Sequence, residues 1–377
     1  LGVLGPRQVG KSTFLMNQWC DELDAKYITF DDFSTVNRAK NAPEQLLLGE
    51  SDDQKRHLII DEAQKIPHIF DSIKAIIDRN RCVGAFTLSG STEFSSKSGV
   101  RESLAGRMGI TRLYPMTLRE ISGLDFASPW VSSQLTDGNG IKAKTVETWL
   151  ECGGMPVFCS LSDMDERHAI INSWLEAICY RDIKQLKDAD YDSDLAYNIL
   201  KTFASKPLIP LAKLASDLST TTVTLKKHIE ALEELFLIYK IPSFDNPNAL
   251  SMYRVFDAGV LNCLLSGNQT IFSRTDCLNS LLINEIYAQY EYSGKQKPQL
   301  HYYRTRGGAE IDLVLKTNDR LIGIECVVNA NIDTYKQRGM RSFLKNHPEA
   351  TGYFIAPVSD IYKIDKNIVV IPWNFIG

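Results

Sequence analysis

The chain has 377 residues, 44% of them hydrophobic and 23% charged, with 42 basic against 46 acidic side chains and a net charge of −4. That length exceeds one average domain and predicts two or three. The charge balance excludes a molecule that is basic throughout, leaving only a local basic face for any polyanion.

The sequence opens with LGVLGPRQVGKSTF. LGVL reads as a short buried strand, and KSTFLMNQWCDEL carries apolar residues at helical spacing. Between them, GPRQVGKS matches the G-x-x-x-x-G-K-[ST] phosphate loop without mismatch, in the strand–loop–helix context that the motif needs. Gly5 and Gly10 let the loop through Pro6, Arg7, Gln8 and Val9 curl its main-chain N–H groups, which Pro6 alone lacks, around phosphates, aided by the helix start at Lys11–Thr13. Lys11 is expected at the β- and γ-phosphates of a nucleoside triphosphate, and Ser12 is expected to offer its hydroxyl to Mg²⁺.

YITFDD (27–32) reads as a second strand, and RHLIIDEAQKIP as a third, a buried run ending in two carboxylates. That position delivers Asp61 to the Mg²⁺ shell and leaves Glu62 to polarise the attacking water. CVGAFTLSGSTEF is a fourth strand ending in hydroxyl residues, where Ser91 or Thr92 is the candidate γ-phosphate sensor. MGITRLY (108–114) supplies the last strand, giving a parallel sheet with helices on both faces.

From 122 to 144 a Ser-, Asp- and Gly-rich stretch reads as a surface loop. DERHAIINSWLEAICYRDIKQLK then reads as one long amphipathic helix with Ile170, Ile171, Trp174, Leu175 and Ile178 on a stripe, a lid or arm. The following segment has the grammar of a winged helix: a helix over 195–204, a second in LAKLASDL, and a third in STTTVTLKKHIEALEELFLI. Val223, Leu225, Ile229, Leu232 and Leu235 form the apolar side of the third helix. Thr220, Thr221, Thr222, Thr224, Lys226, Lys227 and His228 are its exposed candidates for DNA, against which Glu230, Glu233 and Glu234 argue.

SLLINEIYAQY (280–290) is a helix carrying Glu285, followed by strands in LHYYRTRGGAEIDLVLK and DRLIGIECVVN. Their spacing resembles the PD-(D/E)XK nuclease fold, with Asp312 and Glu325 in the acidic positions and Glu310 on the face of Asp312. These carboxylates are a second candidate Mg²⁺ site. Val327, however, stands where that signature has lysine. Lys316 shares the face of Asp312 but lies four residues along the strand, roughly 13 Å away. The incomplete set predicts a scaffold or binding module rather than a cutter.

GPRQVGKST, LIIDEAQKIP, LSGSTEF and ESLAGRMGITRLYPMTLRE together resemble a family of prokaryotic AAA-superfamily ATPases that pair the ATPase with a winged helix and a C-terminal domain of unknown function. GGMPVF (153–158), YRDI (180–183), VFDAGVLNCLL (255–265) and YYRTRGGAEIDLVL (302–315) extend the resemblance over nearly the whole chain. It implies ATP and Mg²⁺ as cofactors and adenine as the base. It also places Arg107 where the family keeps an arginine: a γ-phosphate contact, a finger into a neighbouring subunit of a homo-oligomer, or a structural ion pair.

The expected architecture is α/β, with a P-loop core (1–145), a helical lid or arm (146–190), a winged helix (191–250) and a C-terminal restriction-endonuclease-like domain (251–377). The expected function is Mg²⁺-dependent ATP hydrolysis whose nucleotide state controls the winged-helix and nuclease-like module. An ATP-dependent nuclease and a non-enzymatic nucleotide-dependent regulator of DNA or protein stay open as alternatives. No apolar run is long enough to span a bilayer. Eight cysteines without a C-x-x-C pair read as reduced thiols of a cytoplasmic protein. A start on Leu1, already inside a strand, points to residues upstream and leaves a targeting segment open.

Overall fold

The computed structural model describes residues 1–49, 57–80, 84–93, 106–126, 128–131, 141–186, 191–266 and 271–377. Cys82, residues 103–105 ahead of Gly106, and part of the 122–144 loop lie outside them. Two compact units are present: Leu1–Tyr114 with Glu234–Phe236, and Pro115–Glu233 with Leu237–Gly377.

The first unit is built on five strands, β1 (Gly2–Leu4), β2 (Lys26–Thr29), β3 (Leu58–Asp61), β4 (Phe86–Gly90) and β5 (Ile110–Arg112). They lie in the order β2-β3-β4-β1-β5, and every pairing is parallel. Side-chain alternation explains why both faces are covered. Leu4, Leu58, Ile60 and Leu88 pack with Phe70, Ile73 and Ile76 of the helix Ile69–Asn80. Their neighbours Val3 and Ile59 point the other way, against Leu15, Phe14 and Trp19 of the helical run that follows the phosphate loop. That run starts as Lys11–Phe14, widens to π-type turns over Leu15–Trp19 and ends in Cys20–Glu22. Parallel register brings the C-terminal ends of β1, β3 and β4 to one edge, pairing Leu4 with Gly90 and Ile60 with Leu88. Ligands of open parallel sheets bind at that edge.

The second unit begins with helices. The long helix read from sequence is present as Met164–Ala177, Ile178–Asp182 in wider π-type turns, and Ile183–Leu186, with Ile171, Trp174, Leu175 and Ile178 buried. Ser193–Ser205, Leu211–Asp217 and Thr222–Glu234 follow as three helices, and then an antiparallel pair, β6 (Ile238–Ile241) and β7 (Met252–Val255). Two readings of the third helix need correction. Val223 is 71% exposed, because it sits two residues, or about 200°, from the buried Leu225. His228 is only 1% exposed, because it falls three residues after Leu225 and four before Leu232 on the core face. There its Nε2 accepts from Asp192 N–H at 3.0 Å, and its Nδ1 donates to the Thr224 carbonyl at 2.8 Å.

The C-terminal sheet has the strands β8 (Gln299–Arg304), β9 (Glu310–Lys316), β10 (Leu321–Cys326), β11 (Thr351–Ala356), β12 (Tyr362–Asp365) and β13 (Ile368–Pro372), in the order β12-β13-β11-β10-β9-β8. It is mixed: β10, β11 and β13 run parallel, and the outer pairings are antiparallel. The parallel β10–β11 pair requires a crossover, which the helix Thr334–Asn346 provides. Gly323 and Gly352 are register partners across that pair, and a Cβ on either would strike Phe343 (2.9 Å) or Met340 (2.5 Å). The two glycines therefore form the slot in which the helix beds.

GGMPVF and VFDAGVLNCLL meet for a structural reason. Asp257 caps the helix Ala258–Leu264 through Val260 N–H at 3.0 Å and also accepts from Gly154 N–H at 2.8 Å. A Cβ on Gly259 would lie 2.2 Å from the Cys152 carbonyl oxygen, so only glycine allows this approach. All described cysteines are free. No helix among the described residues is long and apolar enough to cross a membrane.

Candidate nucleotide site

The loop between β1 and the first helix is shaped by its glycines. A Cβ on Gly5 would lie 2.3 Å from the Leu113 carbonyl oxygen, and Gly10 holds φ +105° at the helix start. Gln8 also takes a positive φ of 63°, which curls the loop further. Val9 and Pro6 are buried, Arg7 and Ser12 half-buried, and Gln8 and Thr13 exposed. Lys11 is buried, and its ammonium donates to the Gly5 and Pro6 carbonyls at 2.9 and 2.8 Å. Burial lowers it to about 8, with the carboxylates of Glu62 and Asp61 opposing that shift.

At the end of β3, Asp61 collects hydrogen bonds from β2, from β4, from the helix after the phosphate loop and from its own chain neighbour. Ser12 Oγ donates to Oδ2 at 2.6 Å, the Tyr27 phenol to the same oxygen at 2.5 Å, and Glu62 N–H to Oδ1 at 3.0 Å. Ser89 Oγ also donates to Oδ1. Burial pushes this carboxyl up, but the bonds from Ser12, Ser89 and Tyr27 outweigh it and hold it below the usual range. The same contact, together with burial, drives the Tyr27 phenol up. An ionised carboxylate beside a serine hydroxyl is an oxygen donor pair suited to Mg²⁺.

Glu62 is one of five described non-glycine residues with positive φ, at 55°. Such a conformation costs on the order of 1–3 kcal/mol and persists only where its surroundings enforce it. Here Gln64 Nε2 donates to Glu62 Oε2 at 2.5 Å and to Ser91 Oγ at 3.1 Å, and Ser91 Oγ lies 3.3 Å from the same carboxylate oxygen. Base candidate, sensor candidate and an amide between them thus form one cluster. Two buried polar atoms nearby, Gln64 Oε1 and Thr92 Oγ1, have no hydrogen-bond partner among the described residues. An unpartnered acceptor and hydroxyl fit a site that takes a polar ligand. Arg107 instead makes a two-point contact with Asp78, Nε to Oδ1 at 2.7 Å and a terminal nitrogen to Oδ2 at 3.1 Å.

The second carboxylate set lies in the other unit. Asp312 N–H donates to Glu325 Oε1 at 3.2 Å across β9 and β10. The crossover helix sets a lysine against both carboxylates: Lys336 Nζ donates to Asp312 Oδ2 at 3.1 Å, to Glu325 Oε2, and to the Cys326 carbonyl at 3.2 Å. Burial and the charge of Asp312 push Glu325 up, with Lys336 opposing. At Asp312 burial also pushes up, but Lys336 and Arg254 outweigh it. Glu285 is not in this group. Its Oε1 accepts from Leu118 N–H at 2.6 Å and its Oε2 from Gln289 at 3.0 Å, which makes it a buried structural carboxyl.

Sequence reasoning missed Tyr27, Gln64 and Lys336. Tyr27 lies two residues before Thr29, which is the register partner of Asp61 on the neighbouring strand, so strand order was needed to place it. Gln64 stands two residues after Glu62 in DEAQ, visible but ambiguous. Lys336 is eleven residues beyond Glu325 and on a helix, where a strand signature has no reach.

Known proteins with this sequence pattern place the chain by parts. Residues 1–122 match the model of an AAA domain, residues 143–270 a domain of unknown function, DUF8612, and residues 275–376 a second, DUF4143. Uncharacterized protein Rv2008c of Mycobacterium tuberculosis is 26% identical over 382 residues, covering 98% of this chain and 78% of its own length. Uncharacterized protein MJ1544 of Methanocaldococcus jannaschii is 24% identical over 392 residues, 99% of this chain and 81% of its own. A solved structure, protein VC1899 from Vibrio cholerae, aligns over 95% of this chain and 88% of its own at 11% identity and a TM-score of 0.20, too low to carry a fold argument. The chain carries an AAA domain at its N-terminus, followed by two domains of unknown function.

Proposed function

We propose that this protein is a Mg²⁺-dependent ATPase whose nucleotide state controls its second unit. The observation that carries the reading is the Ser12–Asp61 contact at 2.6 Å beside a Glu62 held by Gln64 and Ser91. Gly5–Gly10 and Lys11 would hold the triphosphate, and Ser12 with Asp61 the Mg²⁺. When bound, the ion neutralises charge on the phosphates and orients them for displacement by water. Glu62 is assigned to orient and accept a proton from that water, Gln64 to hold its carboxylate, and Ser91 to sense the terminal phosphate. The Asp78 contact supports a structural ion pair for Arg107 over a finger acting on a neighbouring subunit. Adenine as the base rests on the AAA match alone. Phosphate release from ATP and Mg²⁺, with and without DNA and with Lys11→Ala as control, tests the reading. Turnover that survives Lys11→Ala would sink it.

The helices Ser193–Ser205, Leu211–Asp217 and Thr222–Glu234 with the β6–β7 hairpin support a winged-helix reading of this segment. Its exposed lysines, Lys226 and Lys227, stand beside an exposed Glu230, and buried His228 is no longer available. That surface suits a structural or protein-binding role better than a phosphate backbone.

A second reading, an ATP-dependent nuclease, gains one observation: Lys336 sets an ammonium against Asp312 and Glu325. The two carboxylates already share that ammonium, and among the described residues no third acid completes a metal cluster. We therefore assign this set no hydrolytic step and read the unit as a binding module. Mg²⁺-dependent cleavage lost in both Glu325→Ala and Lys336→Ala would reverse that assignment.

A further inference from the structure

We propose that the second unit binds the phosphate backbone of a nucleic acid on the face formed by the helix Thr334–Asn346 and the β8–β9 turn. The helix carries Lys336, Arg338, Arg341 and Lys345 and no acidic residue, in a chain where acids outnumber bases. Lys336 is occupied by Asp312 and Glu325, but Arg338, Arg341 and Lys345 recur at i, i+3 and i+7 on the exposed stripe opposite Met340 and Phe343. Solvated helix faces normally mix signs and pair them four residues apart. This one cannot.

The β8–β9 turn adds to the same face. Tyr335 Oη donates to the Gly308 carbonyl at 2.7 Å, and a Cβ on Gly339 would lie 2.7 Å from the Glu310 carbonyl oxygen. The turn is thereby pressed against the first half of the helix, and it carries Arg306 two residues before Gly308. Two neighbours are partly neutralised: Arg304 pairs with Glu310 at 3.0 Å and Arg341 with Asp365 at 3.8 Å. Arg306, Arg338 and Lys345 are exposed and have no ion pair or side-chain hydrogen bond among the described residues. Guanidinium forks suit phosphate oxygens, and Tyr335, 54% exposed on the same helix and bonded to the turn, offers a flat ring on which a base can stack. An acidic peptide would use the charges and leave the ring idle, so a nucleic-acid strand is the better-matched partner. The inference stands apart from the ATPase reading, since no residue in it belongs to the nucleotide site.

The test is fluorescence anisotropy of a short labelled duplex, and of one of its strands alone, titrated with the full chain over a range of salt. Arg306→Glu with Arg338→Glu is expected to weaken binding at least about tenfold and to flatten the slope of log K against log salt by about 0.7–0.9 per lost contact. The neutral pair Arg306→Gln with Arg338→Gln should lose less, and Lys226→Glu with Lys227→Glu should change little. Both arginines are exposed, so an unchanged circular dichroism spectrum is expected to show that the variants fold. The proposal is overturned if neither nucleic acid binds at low salt, or if the arginine variants bind like wild type. It also fails if only the Lys226/Lys227 pair abolishes binding, or if a polyglutamate peptide binds as tightly with the same arginine dependence.

Discussion

Glu62 shows how much a single backbone torsion can report. Its left-handed φ aims the carboxylate along the edge where β1, β3 and β4 end, and Gln64 then ties it to Ser91. Replacing Gln64 with alanine should free the carboxylate while leaving the phosphate loop untouched. Turnover should fall on the order of tenfold or more, against the 10²–10⁴ that a whole acid–base group supplies. ATP affinity, read by titration calorimetry, should stay within about twofold, and a matching loss of affinity would place Gln64 in binding instead. Glu285 makes a different residue-scale prediction. Burial raises its carboxyl to about 8, against bonds from Leu118 and Gln289 that pull it down. Between pH 4.5 and 8 the folded state therefore holds a proton that the unfolded state has lost, so stability is fullest below that window and falls as pH rises through it. The slope can reach about 1.4 kcal/mol per pH unit. Glu285→Gln should flatten the urea-unfolding midpoint over this range, and an unchanged pH dependence would exonerate Glu285.

At the scale of elements, close approaches of backbone decide what can be substituted. Gly259 lets the helix Ala258–Leu264 lie against the end of Ala143–Cys152, and Asp257 pins the contact through Gly154. Gly259→Ala should cost at least about 1–3 kcal/mol, the usual range for forcing an extra carbon into a packed contact. A drop in the urea midpoint with unchanged m-value would show it; an unchanged midpoint would mean that the helices can part. These elements also mark the limit of reading from sequence. The buried runs LGVL and LIID and the phosphate loop were legible because local pattern dictates them. The order β2-β3-β4-β1-β5, which brings Tyr27 to Asp61, is a long-range fact with no local trace. His228 and Val223 were misread because polarity and hydrophobicity suggested their exposure, whereas position on the helical wheel decided it. Lys336 was invisible for a similar reason: a crossover helix, not the next strand position, supplies the ammonium.

For the whole molecule, the account joins an AAA-domain unit bearing the proposed nucleotide residues to a second unit on whose described surface Arg306, Arg338 and Lys345 stand exposed. If ATP binds the first unit, mass action should raise the unfolding midpoint with ligand concentration, by about 2.7 kcal/mol at a hundredfold excess over Kd. Lys11→Ala should remove that shift. The central claim is narrower: Glu62 activates water on a triphosphate held by the Gly5–Ser12 loop. Phosphate release from ATP and Mg²⁺ by wild type, Glu62→Gln and Lys11→Ala, each with ATP binding measured in parallel, tests it most directly. The account predicts that Glu62→Gln binds ATP like wild type but releases phosphate about 10²–10⁴-fold more slowly, and that Lys11→Ala loses both binding and release. A Glu62→Gln protein that turns over at the wild-type rate would contradict it.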